Sequence, residues 1–495
     1  MNRQIVRLTY VSLALVGVLV VMTTYWQTWA APGLADRQDN AIRRVAEFSV
    51  DRGLIFAWQP QRRLARNVER TLDGKTLFFR RYPYGRLAAH VVGYSTAGRS
   101  RTGLERSLND YLTASNANLS TLVDKAFDEL RGKPVAGNDV VLNLDLDAQK
   151  VALEQLGTQC GAVVALDPRT GEVRVMVSSP GFDPNLVEAS FQRISRITAD
   201  CRPASPLLNR ASAGLYVPGS TFKVITASAA LESRKFTPDS SFVDPGYCTV
   251  YGKRVNNFDT SSPFGTIDLE NGLVHSVNSV FCNVGLKLGA KRILDTAKRF
   301  GFYERPPLET PADERLPSGL YQDGRLYYPR LDSDVDAGRM AFGQERMLVT
   351  PLQMAMVAGA IGVGGRLLEP QVVDRIVTPG GRVLVQQRPV LIRRAVTRDT
   401  ADAVAQMMRL AVERGTGTAA QIPGYSVGGK TGTGETGVPG SNTTWFIAFA
   451  GRDEETLPEV AIAVVLQNQS GTGGTTAAPI ARAVMEALLR PTENP

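Results

Sequence analysis

The sequence predicts an α+β protein with one membrane-spanning helix, a small N-terminal unit and a larger unit built on a central antiparallel sheet flanked by helices. Three observations carry that expectation. No charged residue occurs from Leu8 to Ala35. The composition changes after Gly132-Lys133-Pro134. Beyond that point the chain begins and ends with strand-like segments and holds a largely helical middle.

Residues 8 to about 29 suffice to cross a bilayer as a helix of ~20 residues. Arg3 and Arg7 precede them. The positive-inside tendency therefore places the N-terminus in the cytoplasm and the remaining chain outside, with Tyr25, Trp26 and Trp29 as interfacial anchors. A signal peptide cleaved near Ala30-Ala31 is the alternative; Trp29 and the length of the apolar run speak against it. The expected division is 1–31 for tail and span, 32–136 for an arginine-rich unit, and 137–495 for the rest. The last element of the arginine-rich unit repeats Leu119, Leu122, Val123, Ala126, Phe127 and Leu130 at helical spacing before Gly132 and Pro134 stop it. Residues 140–145 open the second unit. Segments 161–167 and 172–178, joined by Pro168-Arg169-Thr170-Gly171, read as a hairpin. Segments 443–450 and 459–466 read as two more strands, followed by a helix from about Pro479 to Leu489. Residues 305–336, rich in Pro, Asp, Arg and Tyr, read as a long surface loop.

The net charge of +8 is spread over 495 residues without a Lys/Arg run or aromatic interleaving, which points away from nucleic acid and toward a surface facing an anionic membrane and wall polymers. Cys160, Cys201, Cys248 and Cys282 show no CxxC spacing, and no HExxH occurs, so a zinc site is not expected. Outside the cytoplasm the four cysteines allow three pairings. The position of Cys282 just past a Ser-Val-Asn motif favours a bridge to Cys248.

Three motifs carry the chemistry. Val217-Pro218-Gly219 sets Ser220 in a first helical turn, where unpaired backbone N–H groups favour an anion on or near its oxygen. Lys223, three residues on, shares the helix face; desolvated and with a lowered pKa it could be the base that activates the hydroxyl. Taken alone, the pair also reads as a cap and a solvated charge. Ser276-Val277-Asn278 offers a hydroxyl able to pass a proton to a leaving amine and a carboxamide able to hold a peptide, although Ser and Asn between helices are most often caps. Lys430-Thr431-Gly432-Thr433, flanked by Gly428, Gly429 and Gly434, suits a strand edge that a ligand approaches closely; a cation and two hydroxyls fit a terminal carboxylate. The N–H of Thr433 could join that of Ser220 in an oxyanion hole.

Two rival motifs overlap the third. Gly424 to Gly428 matches GxSxG, and Gly424 to Thr431 matches GxxxxGK[ST]. A nucleophile elbow needs a later histidine, but His90 and His275 both come earlier. A phosphate loop needs a helix from Lys430, which Gly432, Gly434, Gly437, Pro439 and Gly440 forbid, and too little chain follows for a nucleotide-binding sheet.

SxxK, SxN and KTG in this order resemble the active-site signature of the penicillin-binding proteins and serine β-lactamases. Most of the chain resembles a class B penicillin-binding protein. Arg52-Gly53-Leu54-Ile55 looks like its RGxI box; Tyr82-Pro83, Leu87 to Tyr94 and Gly103-Leu104-Glu105 look like the boxes that follow. Phe182-Asp183-Pro184-Asn185, Asn209-Arg210, Gly343-Gln344 and Val349-Thr350-Pro351 fall in family order. The short N-terminal unit looks most like the penicillin-binding protein A group. Phe56-Ala57-Trp58 departs from the acidic and glycine residues of larger members. No glycosyltransferase motif precedes residue 137, unlike class A, and nothing supplies the glutamate of the shorter serine β-lactamases.

The resemblance implies a pedestal or dimerisation-type unit at 32–136 and a D,D-transpeptidase at 137–495 that cross-links peptidoglycan stem peptides in cell division or cell-shape maintenance, with no metal or cofactor. Ser220 would be the nucleophile and Lys223 its base; Ser276 would protonate the departing D-alanine, while Asn278, Lys430, Thr431, Gly432 and Thr433 hold the peptide. β-Lactams would acylate Ser220. A SEDS-type glycan polymerase is the implied partner, docked through the membrane helix and the N-terminal unit. A β-lactam sensor is a second reading, opposed by the single span and missing zinc protease; a scaffold of the wall-synthesis machinery is a third.

Overall fold

The computed structural model describes residues 2–26, 48–58, 62–72, 74–98, 100–115, 136–250, 252–257, 261–438, 440–453 and 457–490. Helix α1 (Asn2–Thr24) is exposed along its length and is the one described helix long and apolar enough to cross a membrane. It starts earlier than the apolar run suggests, because Arg3, Gln4 and Arg7 are good helix formers. Trp29 and the expected helix at 119–130 lie outside the described residues.

The N-terminal unit contributes strands β1 (Ile55–Phe56), β2 (Arg63–Leu72) and β3 (Lys75–Arg81), and β4 (Asp139–Leu142) opens the second unit. Asp145 caps α2 (Leu146–Leu156) by accepting from the N–H groups of Asp147 and Ala148. The expected hairpin follows as β5 (Gly161–Leu166) and β6 (Val173–Ser179). The helical middle carries α3 (Lys223–Glu232), α4 (Asn278–Leu288) and α5 (Pro351–Gly362). Strands β7 (Val373–Val377) and β8 (Val383–Gln386) precede α6 (Arg398–Glu413). The chain closes with β9 (Ser426–Val438), β10 (Ser441–Gly451), β11 (Val460–Gln469) and α7 (Gly473–Leu489).

Five strands in the order β9-β10-β11-β5-β6, all antiparallel neighbours, form the central sheet. The two-residue period of a strand sorts its side chains onto opposite faces. In β10, Trp445, Ile447 and Phe449 join the core beneath α5, while Phe446, Ala448 and Ala450 join the core beneath α2 and α7. Both faces are buried, so β10 and β11 are apolar almost throughout. α7 begins at Gly473, six residues before the expected start: Thr472 exchanges hydrogen bonds with Thr475 in a capping box, leaving Pro479 inside the helix and not at its head. Residues 305–336 also differ from expectation. They hold a small antiparallel ladder in which Gly319–Gln322 pairs with Arg325–Leu326 and with Met347–Leu348.

A second sheet has the order β8-β7-β4-β1-β2-β3, so strands of the N-terminal unit share one sheet with strands from residues 373–386. Glu105, fully buried beside it, accepts from Arg52 Nε at 2.8 Å, Arg80 Nε at 2.7 Å and the Tyr82 hydroxyl at 3.3 Å. Burial pushes the Glu105 pKa up, but the charges of Arg80 and Arg52 outweigh it and hold the carboxyl below its usual range. Asn185 ties this unit to the sheet domain, accepting from Tyr82 N at 3.0 Å and donating to Tyr82 O at 2.9 Å.

All four cysteines are paired, Cys160 with Cys201 and Cys248 with Cys282. The second bridge joins α4 to the strand Tyr247–Val250. Replacing both Cys248 and Cys282 by Ala should therefore lower the unfolding free energy of the ectodomain by about 2–4 kcal/mol in a urea titration; an unchanged midpoint would show that the bridge does not stabilise the fold.

Candidate active site

Ser220 stands in a 3-10 turn, Gly219–Phe222, that runs straight into α3. The turn is clamped from three sides. Gly219 N donates to Gly343 O at 3.1 Å, Thr221 Oγ1 to Pro218 O at 2.8 Å, and Trp445 Nε1 to Val217 O at 2.9 Å. Strand β9 lies against it backbone to backbone, which only glycine permits. A Cβ on Gly219, whose φ is +53°, would sit 2.6 Å from Thr433 O; one on Gly432 would sit 2.7 Å from Pro218 O; one on Gly434 would sit 2.6 Å from Val217 O. Ser220 and Thr433 are thus carried on adjoining backbones, and Ser220 is half-buried between the buried Gly219 and Thr221.

Lys223 and Lys430 are both wholly buried and meet on one serine. Lys223 Nζ donates to Ser276 O at 2.6 Å and Asn278 Oδ1 at 2.7 Å, and lies 3.3 Å from Ser276 Oγ. Lys430 Nζ lies 2.8 Å from Ser276 Oγ and donates to Thr431 O at 3.0 Å. Each of these partners is a hydroxyl, a carbonyl or a carboxamide, so no carboxylate offsets the loss of water. Burial, and then the charge of Lys430, pushes the Lys223 pKa well below its usual value. Burial alone lowers that of Lys430 to about 7.

Ser276 reaches both amines because its backbone is left-handed, φ +60°. A non-glycine residue there costs on the order of 1 kcal/mol. Asn278 begins α4; its Nδ2 donates to Asn256 O at 3.0 Å, so both ends of the carboxamide are engaged. One residue on, Ser279 Oγ donates to Asp244 Oδ1 at 2.6 Å and Ser279 N to Asn257 Oδ1 at 3.0 Å, fixing the head of α4.

Thr431 and Thr433 project from the other face of β9, opposite Phe446 and Thr444. Thr433 Oγ1 accepts from Gly473 N at 3.4 Å. Thr431 Oγ1 lies 2.6 Å from Thr416 Oγ1, a residue outside every motif. Sequence reasoning also missed Trp445 and the role of Gly343. The one available signal for Thr416 was its place between Gly415 and Gly417, where side chains are small enough for close approach. Neither rival motif has its required context: residues 426–438 are a strand throughout, with no helix after Ser426 or from Lys430. His90 is buried against Pro206 O in the N-terminal unit.

Chemically, the arrangement offers a hydroxyl at a helix start, a buried amine poised to be neutral one turn away, and a second hydroxyl between two amines. Such a set suits nucleophilic attack followed by proton transfer.

Comparisons with known proteins agree with this chemistry. The penicillin binding protein transpeptidase domain matches residues 161–486, and the penicillin binding protein A dimerisation domain matches residues 52–140. A peptidoglycan D,D-transpeptidase PbpA from Mycolicibacterium smegmatis is 32% identical over 521 residues, covering 99% of both chains, and one from Mycobacterium tuberculosis is 32% identical over 515 residues with the same coverage. Among solved structures, penicillin-binding protein A from M. tuberculosis in a ceftriaxone acyl-enzyme complex superposes with a TM-score of 0.79 at 30% identity, covering 90% of this chain and 100% of that one. A D,D-transpeptidase domain from Eggerthella lenta gives 0.73 at 31% identity, covering 88% and 98%.

The depressed lysine pKa has a consequence for stability. Between pH 7 and the unfolded-state value near 10.5, Lys430 is neutral when folded and protonated when unfolded, so unfolding takes up a proton and stability rises with pH across that window. Lys430→Met should flatten that rise and, by removing a desolvated amine, raise the unfolding free energy at pH 7 by about 1–3 kcal/mol. Denaturant titrations of both ectodomains from pH 6.5 to 10 check this; parallel curves would mean that Lys430 stays charged in the fold.

Proposed function

Because this chain belongs to the penicillin-binding protein transpeptidase family, we propose that it is a serine-type peptidoglycan D,D-transpeptidase, cross-linking stem peptides and inhibited by β-lactams, with Ser220 as its nucleophile. The observation that carries the assignment of residues is the meeting of two buried lysine amines on Ser276, one of them from Lys223, a single helical turn after Ser220. In this reading the Ser220 O–H bond breaks as neutral Lys223 takes the proton, and Oγ bonds to the carbonyl carbon of the penultimate D-alanine. The N–H groups of Ser220 and Thr433 stabilise the oxyanion. The proton then passes from Lys223 through Ser276 Oγ to the nitrogen of the terminal D-alanine; the C–N bond breaks and an acyl ester remains. An amine of a second stem peptide attacks that ester, its proton returns by the same path, and Ser220 is restored. Lys430 assists by donating to Ser276 Oγ, which makes that hydroxyl a better proton donor. Asn278 holds Lys223 in place from one end of its carboxamide.

The resemblance also supports residues 32–136 as a pedestal and 137–495 as the transpeptidase domain. With α1 read as the span, the positive-inside tendency of Arg3 and Arg7 supports a cytoplasmic N-terminus and a catalytic domain outside the membrane.

Fluorescent penicillin should label the ectodomain covalently. Ser220→Ala should abolish labelling with the fold retained by circular dichroism, and Lys223→Ala should slow it by about 10³-fold. Labelling that survives in Ser220→Ala overturns the nucleophile assignment.

A transpeptidase needs fresh glycan, which makes a SEDS-type polymerase the partner we propose for α1 and the N-terminal unit. Exchanging α1 for an unrelated span, and separately exchanging residues 32–136, should break co-purification and function in cells while leaving acylation of the soluble domain intact. Full complementation by both chimaeras would reduce the segment to an anchor.

A further inference from the structure

Lys430 is the obvious partner for the terminal carboxylate of the substrate, yet its amine is wholly buried and already engaged by Ser276 Oγ at 2.8 Å and Thr431 O at 3.0 Å. The groups left to meet a carboxylate are hydroxyls. Thr433 Oγ1 accepts from Gly473 N, which leaves its own proton free to be donated. Thr431 Oγ1 is 2.6 Å from Thr416 Oγ1, and two hydroxyls at that distance share one proton between them, so the pair keeps one outward donor. Thr431 is 7% exposed, whereas Thr416 is exposed.

Thr416 is itself fixed from both motifs. Its N–H donates to Val274 O at 3.4 Å, two residues before Ser276, and its carbonyl lies where a Cβ on Gly474 would come within 2.6 Å. The preceding Gly415 packs so closely on Val274 O that a Cβ would come within 2.4 Å. The segment 415–416 therefore bridges the Ser276 loop and the Lys430 strand, with Thr416 exposed.

We propose that Thr416 is a specificity-determining residue: by hydrogen bonding to Thr431 it fixes the single outward O–H which, with that of Thr433, receives the terminal carboxylate of the donor peptide. The inference rests on the transpeptidase reading and adds to it a residue that lies outside its three motifs. A carboxylate accepts two donors side by side, matching one proton from the Thr431–Thr416 pair and one from Thr433. An uncharged carboxamide gains much less from the same two donors.

The test compares two N-acyl-D-alanyl thioesters, one whose leaving group ends in a carboxylate and one in which a carboxamide replaces it, with second-order acylation constants measured for wild type, Thr416→Val and Thr416→Ser. Wild type should prefer the carboxylate form; Thr416→Val should lose about tenfold of that preference with the carboxamide rate little changed, and Thr416→Ser should restore it. Equal losses on both substrates, or an unchanged ratio in Thr416→Val, would overturn the inference and leave Thr416 a packing residue. Failure of wild type to be acylated by either thioester would instead count against the transpeptidase reading itself.

Discussion

The structure depends on bringing two lysine amines out of water and onto one serine hydroxyl without a carboxylate to compensate. Burying an isolated ammonium costs several kcal/mol, and a protein avoids that cost by letting the group lose its proton. Lys223 and Lys430 accordingly carry lowered pKa values, Lys223 more so because it also faces Lys430. What destabilises the charged form is what favours a neutral base at Lys223. The same desolvation therefore serves catalysis and works against the fold.

Holding that arrangement takes rigid surroundings on every side. Glycines at 219, 432 and 434 let the nucleophile turn and strand β9 touch along their backbones, and Trp445, wholly buried in the next strand, hydrogen-bonds Val217 across the gap. Behind α4, the Cys248–Cys282 bridge and the Ser279–Asp244 hydrogen bond secure the segment that carries Asn278. Of the motif residues other than glycine, Ser276 is held in a left-handed conformation, at a local cost that its neighbours offset. The central sheet, buried on both faces, supplies the stability that offsets these local costs.

The N-terminal unit is joined to this scaffold and is not merely strung in front of it. Strand β1 pairs in parallel with β4, and β4 pairs antiparallel with β7, so one sheet links residue 55 to residue 377. The buried Arg52–Glu105–Arg80 cluster fixes the unit's own geometry, since removing Glu105 would leave two guanidinium charges without their carboxylate in a dry interior.

Local chemistry was enough for the sequence to reveal the elements with a strong period or an unambiguous stop: the hairpin at 161–178, strands β10 and β11, the apolar N-terminal helix, and the motif residues Ser220, Lys223, Ser276, Asn278 and Lys430 to Thr433. The start of α7 was misplaced because Pro479 is a stronger local signal than the Thr472 cap, and the ladder within 305–347 was hidden because its strands are too short to show a period. Only the tertiary structure decided which side chain meets which. Whether an amine at Lys430 reaches solvent or Ser276, which hydroxyl Thr416 contacts, and which cysteines pair are contacts between residues 15 to 154 positions apart. Such distances are set by how strands and helices pack, and packing is a property of the whole chain that no short window of sequence contains.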